Sequence, residues 1–567
     1  MKKFILLIIL IFLLSTGLLA QNLLSPEWKI SFGDIAETNL DKLNTANWQK
    51  VNLLLSWERQ GYFWNDGSGC IVNDFTVPDE LTGSQFVLTI SLQCEVKSIY
   101  INNKFIGGNL RNQYWSNRGA RNEFNIADNC LVKGKKNRIA IFVADLSYTG
   151  GISWNSCSLA PKGSESKSAI KIDIPVQDHL YSLENKNSLT LKYNAVRKGK
   201  IKLSVVNDFH QSFIQKDYNV KKGTGQIQCE LGAAITTPGF YECTVIMYDG
   251  GYSSDVQWFT LSPEKIACTN NTVPRFKEYW DAALDELGKT PQEFKLIKKE
   301  NLCSGSRDGY IAEMKSFGGL TIRGYYFVPK TPGRHAAILH VPGYGYGWQD
   351  HGAFLENHDD VVELALCVRG HGISADVFNP GFGVPGVWGY SLCSETDNAY
   401  RAIYMDCVRA VEFLLSRPEV DSARLGVMGG SQGGGLTLVT AGLCRDHIKA
   451  CSFFDPFPCD TRDHLKIRTM CNFEIKNYLR YYNDPCTFED ALYIQDLLDT
   501  KGFAEWIKCP TLYVTSLFDD DAPPHLGFSA YNRISAPKSF KIYPDLGHIN
   551  DKTFIEQRQF LKKELGY

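Results

Sequence analysis

The hydrophobic pattern of this chain changes character along its length. Over roughly the first 260 residues apolar and polar positions alternate at period two, in short runs separated by Gly, Asn and Asp. Phe86-Val-Leu-Thr-Ile-Ser91, Val96-Lys-Ser-Ile-Tyr-Ile101 and Arg138-Ile-Ala-Ile-Phe-Val143 follow this rule. So do Ser168-Ala-Ile-Lys-Ile-Asp173, Leu189-Thr-Leu-Lys-Tyr193 and Lys200-Ile-Lys-Leu-Ser-Val205. Such alternation predicts half-buried strands. Asn102-Asn103-Lys104 predicts a turn, because Asn tolerates positive φ. Later runs are different. Arg424-Leu-Gly-Val-Met428, Thr511-Leu-Tyr-Val-Thr515 and Ser539-Phe-Lys-Ile-Tyr543 are short and mostly apolar, as strands of a parallel sheet are. Leu436 to Cys444 is rich in Leu, Ala and Thr and predicts a helix.

The glycines between strand and helix carry the chemistry. Gly429-Gly430-Ser431-Gln432-Gly433 places a serine on a strand-to-helix turn whose neighbours lack bulk. This is the G-x-S-x-G nucleophile elbow, in which the hydroxyl projects above the sheet and the following amide can stabilise an oxyanion. The structural alternative is a Gly-rich turn whose serine only caps the helix. An elbow serine needs an acid and then a histidine on loops after later strands. Asp519, Asp520 and Asp521 follow Thr511–Thr515, and Gly547-His548 follows Ser539–Tyr543. The chain has 11 histidines, but His548 stands where the elbow requires one.

A length of 567 residues exceeds one ordinary domain. Met1-Lys2-Lys3, the apolar run Phe4 to Leu14, and Leu18-Leu19-Ala20-Gln21 read as a secretory signal of residues 1–20, and hence as a periplasmic or secreted protein. No cysteine precedes Cys70, which excludes a lipoprotein cysteine just after the signal. The 17 cysteines are scattered, with no C-x-x-C, and most read as free buried hydrophobes. His340, His351 and His371 lack metal-ligand spacing, so no metal and no cofactor are expected. A net charge of −2 without a basic block argues against nucleic acid and, once the signal is cut, against a membrane partner. Tryptophan and tyrosine are dense between Trp48 and Trp154, which suits sugar stacking and ordinary β cores alike.

From about Pro274 onward the chain resembles the acetyl xylan esterase and cephalosporin-C deacetylase group of α/β-hydrolases, carbohydrate esterase family seven. The matching positions, in order, begin with Phe276-Lys-Glu-Tyr-Trp280-Asp281, Ile322-Arg-Gly324, Pro342-Gly343-Tyr344 and Arg369-Gly370-His371-Gly372. They continue through Tyr400-Arg401, Asp406, the elbow, Cys459-Asp460, Asp519 with Pro523-Pro524, and Gly547-His548. The resemblance implies Ser431 as nucleophile, His548 as general base, Asp519 as its orienting acid, and the amides of Tyr344 and Gln432 as oxyanion donors. Asp520 and Asp521 are expected to face solvent. Pro342 stands where the family has histidine, and His371 where it has glutamine; the latter change is expected on the pocket wall.

Residues 21–163 resemble the galactose-binding-like jelly rolls at the front of many β-glycosidases. The resemblance rests on Trp57-Glu58, Tyr100 to Lys104 with Gly107, Gly134-Lys135-Lys136-Asn137 and Gly150-Gly151-Ile152. Residues 164–263 read as an Ig-like sandwich, with Tyr241 two residues before Cys243 as at a tyrosine corner. Residues 264–567 form the hydrolase. The expected protein is an exported multidomain serine esterase acting on acetylated xylan-type carbohydrate through an acetyl-enzyme; a homo-oligomer is compatible with the sequence. Two rivals are a prolyl-oligopeptidase-like serine peptidase, disfavoured by the absence of propeller-blade periodicity, and a sugar-binding protein with a vestigial hydrolase domain.

Overall fold

Strand alternation in the front of the chain gives two pairs of sheets, each pair closed over its own apolar core. The computed structural model describes residues 22–567, apart from 26, 34, 36–38, 54–56, 58–66, 82–83, 92–93, 111–120, 146–156, 164–167, 250–251, 268–272, 346, 349–350, 356, 358, 380–387, 469, 482–484 and 549–550. The signal segment, Glu58 and Gly150-Gly151-Ile152 therefore lie outside the described residues. The chain divides into two compact units, Met1–Leu261 and Ser262–Tyr567.

In the first unit a six-stranded and a three-stranded sheet come first. Leu88 and Ile90 of the smaller sheet meet Ile71, Ile99 and Ile141 of the larger in one core, with Trp28 and Trp57 inside it. Burying each such side chain contributes roughly 1.5–3 kcal/mol. The predicted strand Phe86–Ser91 has these bounds, while Arg138–Val143 extends to Lys136–Asp145. Asn102 and Asn103 turn the chain at φ 46° and 66°. A three-stranded and a five-stranded sheet follow, sharing a second core of Leu189, Leu191, Leu203, Val205 and Val245. Trp57 is a buried core residue and offers no free stacking face, while Trp48 packs, partly buried, on a small satellite cluster.

The second unit is built on one nine-stranded sheet. Three antiparallel strands, Lys295–Lys298, Arg307–Lys315 and Thr321–Pro329, lead into a parallel run. In spatial order that run is Val361–Cys367, His335–His340, Val420–Gly430, Ala450–Phe454, Thr511–Ser516 and Lys538–Tyr543. Every residue of Val361–Cys367, His335–His340, Ala450–Phe454 and Thr511–Ser516 is buried, as strands covered on both faces must be. The helix Ala399–Leu415 starts where Asn398 caps the Tyr400 amide, and nearly all of it is buried. On it, Asp406 receives both arms of the Arg369 guanidinium, at 2.9 and 2.7 Å, which fixes the crossover carrying His371.

Thirteen cysteines are free among the described residues, twelve of them buried. Cys393 and Cys486, 93 residues apart, form a disulfide that spacing gave no reason to pair. No helix among the described residues is long and apolar enough to cross a membrane.

Candidate active site

Ser431 is the hinge between the strand Val420–Gly430 and the helix Gln432–Leu443. Its backbone sits at φ 59° and ψ −124°, a conformation few non-glycine residues adopt. The surroundings hold it there. Its amide donates to the Phe454 carbonyl at 3.0 Å, and its own carbonyl accepts from the amides of Phe457 (2.9 Å) and Gly435 (3.1 Å). The hydroxyl makes no cap bond to the helix, so the serine is not a capping residue. A Cβ at Gly433 would come within 2.5 Å of the Val341 carbonyl oxygen, and one at Gly434 within 2.3 Å of that of Phe454. The helix therefore begins at Gln432, four residues before the predicted start at Leu436. Intrinsic propensity counts glycine against a helix, but here only glycine lets the helix press on two neighbouring strand ends.

The acid and the histidine meet across 29 residues. His548 Nδ1–H donates to Asp519 Oδ2 at 2.6 Å, and Asp519 Oδ1 accepts the amides of Asp521 (3.0 Å) and Ala522 (2.9 Å). Burial works against the Asp519 charge, but His548, Asp455 and the Ala522 amide hold its carboxyl below the usual range. Burial also disfavours a charged His548, yet the neighbouring carboxylates Asp519 and Asp521 raise its pKa. Ser431 and His548 share Phe454: its carbonyl holds the serine amide, and its ring lies 5.7 Å from the imidazole. Among the described residues Ser431 Oγ and His548 Nε2 form no hydrogen bond with each other, a common looseness before substrate binds. Asp521 does not face solvent as expected. Its side chain is 11% exposed, with Oδ2 3.9 Å from His548 Nε2. The turn that sends two amides to Asp519 also folds Asp521 back toward the imidazole.

Tyr344 follows the strand His335–His340 by way of Val341, Pro342 and Gly343. The Gln432 side chain ties this loop to the elbow. Its Nε2 donates to the carbonyls of Gly343 (3.1 Å) and Pro342 (3.3 Å), while the Tyr400 hydroxyl donates to its Oε1 at 2.6 Å. Sequence reasoning used only the Gln432 amide and missed this role. His371 is fully buried behind the loop, not on a pocket wall. Burial lowers its pKa and keeps it neutral; Nδ1–H donates to the Arg369 carbonyl (3.2 Å), which leaves Nε2 to accept the Gln432 amide at 3.3 Å. Beside the elbow, the Phe457 ring packs against Tyr344 (6.0 Å), Trp388 (5.3 Å) and His464 (6.1 Å). Asp460, Asp463 and His525 bring ligand atoms within 4.8 Å of one another. The Lys501 ammonium already occupies Asp460, so the group reads as an ion-pair network.

A largely parallel sheet with a serine elbow, and an acid and histidine on the loops after its last two strands, is the architecture of an α/β-hydrolase. The chain belongs to the acetyl xylan esterase family, whose model (AXE1) matches residues 262–564, and it is a carboxylic ester hydrolase. The acetyl esterase Axe7A of Xylanibacter ruminicola is 28% identical over 369 residues, 60% of this chain and 80% of that protein. The acetyl xylan esterase from Paenibacillus sp. R4 aligns with 53% of this chain and 98% of its own, at 27% identity and a TM-score of 0.49. Acetyl xylan esterase 1 from Thermoanaerobacterium sp. JW/SL YS485 aligns with 54% of this chain and 98% of its own, at 27% identity and a TM-score of 0.47.

Proposed function

We propose that this protein is an exported three-domain carbohydrate esterase that removes acetyl groups from xylan-type polysaccharides or their oligosaccharides by way of an acetyl-enzyme. The 2.6 Å bond between His548 and Asp519, behind a serine whose hydroxyl is not spent on a helix cap, carries the proposal. His548 Nε2 takes the proton of Ser431 Oγ as that oxygen attacks the acetyl carbonyl. The amides of Gln432 and Tyr344 receive the oxyanion. The carbon–oxygen bond to the sugar then breaks, and the sugar leaves with the proton from His548. Water, deprotonated by the same imidazole, attacks the acetyl-enzyme, and acetate leaves as Ser431 regains its proton.

The family membership supports the acetylated carbohydrate substrate. The leading Lys2-Lys3 and apolar run support export to the periplasm or medium. Residues 21–163 are read as a galactose-binding-like jelly roll, in keeping with two sheets over one core. Residues 164–263 are read as an Ig-like sandwich, in keeping with the Tyr241 hydroxyl returning to the Thr237 carbonyl at 2.6 Å. Residues 264–567 complete the arrangement as the hydrolase.

The test is acetate release by the purified full chain from acetylated xylan, cephalosporin C and a generic acetyl ester, alongside cleavage of a proline-containing peptide. Turnover of the acetyl esters and none of the peptide is expected. Peptide cleavage without acetate release refutes the assignment.

A further inference from the structure

A further titratable side chain lies beside the acid that orients His548. Asp455 directly follows the strand Ala450–Phe454 and is fully buried. Its backbone is held at φ 24°, a costly conformation for a residue with a side chain. The hydroxyls of Thr515 (2.5 Å) and Tyr513 (2.8 Å) donate to its Oδ1, and the Ser516 amide approaches Oδ2 at 3.3 Å. Ser516 joins Asp455 to Asp519: the Ser516 amide meets Asp455 Oδ2 and the Ser516 carbonyl accepts the Asp519 amide at 3.0 Å, which brings the two carboxyls within reach of each other.

The titratable groups facing Asp455 are thus Tyr513 from the neighbouring strand, Asp519 from the loop after it, and His548 beyond Asp519. Two buried carboxyls within reach of each other do not both ionise; one keeps a proton. Their donors decide which. Asp519 accepts one ring N–H and two amides, the set that stabilises a carboxylate. On Asp455 two hydroxyls converge on one oxygen, while the other has only a long amide contact and is left for the proton.

We propose that Asp455 is a positioning residue of the active site: a neutral carboxylic acid that donates to Asp519, fixes its orientation and moderates its pull on the His548 proton. This rests on the assignment of Ser431, Asp519 and His548 above. Burial and the Asp519 charge push the Asp455 pKa well up, in the same sense. Loss of the donor makes Asp519 more basic, so the imidazolium becomes more stable. An ionised Asp455 would do the reverse, because its removal would take a negative charge away from His548.

The experiment is the pH dependence of kcat/KM on a soluble acetyl ester for the wild type, Asp455→Ala and Asp455→Asn. In Asp455→Ala, kcat falls about tenfold, the size of one hydrogen bond to a charged group, with KM little changed. Its acidic limb moves to higher pH by about one unit. Asp455→Asn, whose amide N–H can replace the donor, returns the limb toward the wild-type position and recovers turnover. An unmoved limb in Asp455→Ala, or one displaced to lower pH, overturns the proposal. If Asp455→Ala does not fold, an infrared difference spectrum of wild type against Asp455→Asn at neutral pH decides. A neutral carboxylic acid band is expected, and only carboxylate bands would refute the proposal. Ser431→Ala, run in parallel, reports on the nucleophile alone, so failure of the triad assignment is distinguishable from failure of this one.

Discussion

The Tyr400 hydroxyl donates to Gln432 Oε1 at 2.6 Å, in a fully buried site linking the helix Ala399–Leu415 to the first residue of the elbow helix. Through Gln432 Nε2 the same connection reaches the carbonyls of Pro342 and Gly343. The two segments assigned as oxyanion donors are therefore held by one side chain. Gln432→Ala keeps the backbone amide but releases the loop, and kcat should fall roughly ten- to a hundredfold with the fold retained. Tyr400→Phe should do the same more weakly. Steady-state kinetics beside circular dichroism melts check both.

Ser431→Ala should abolish acetyl ester hydrolysis. Loss of a triad member in serine hydrolases costs on the order of 10⁴ to 10⁶ in rate. Near-native turnover by the folded variant would refute the mechanism.

The three adjacent aspartates should separate by effect. Asp519→Asn removes the acceptor for His548 Nδ1–H and should lower kcat by about 10⁴. Asp521→Asn removes a negative charge 3.9 Å from His548 Nε2. The imidazolium is then less stable, so the acidic limb of kcat/KM should move to lower pH. Asp520→Asn should move it least. In the wild type the carboxylates around His548 should place that limb above the ordinary histidine value of about 6.5, with activity lost as pH falls through it. A pH–rate series on the four proteins measures these shifts.

Glu363 is the anion of a buried network, contacting Arg307, Arg558 at 2.6 Å and His340 at 2.9 Å. Burial opposes its charge, but His340, Arg558 and Arg307 hold its pKa well below the usual carboxylate range. A depressed pKa contributes stability above the unfolded value near 4.3, and that stability is lost as pH falls through the folded value. Glu363→Gln leaves buried cations uncompensated and should cost about 3–5 kcal/mol in urea unfolding at neutral pH.

The Cys393–Cys486 bond closes a loop spanning 93 residues. Loop-closure entropy assigns such a bond about 4–5 kcal/mol. Reductant should lower the thermal midpoint of the wild type and leave that of Cys393→Ser in place.

The elbow was legible because close packing against strand ends leaves glycine as the only fit, and because an elbow serine demands a later acid and histidine in fixed order. The β alternation in the front half was legible for the same reason of geometry: one face of each strand meets a core. The remainder was hidden because it depends on long-range contact. Asp455 meets its Thr515 donor 60 residues away, and Gln432 meets Gly343 at a distance of 89. The inward turn of Asp521 follows from two amides seeking Asp519, which no local pattern encodes. The helix start at Gln432 was hidden by the glycines themselves, since propensity reads them as breakers.

Every side chain given a chemical role lies between Tyr344 and His548, inside Ser262–Tyr567. A single recombination near codon 262 would hand the whole catalytic apparatus to another front half, or a new front half to the same catalyst.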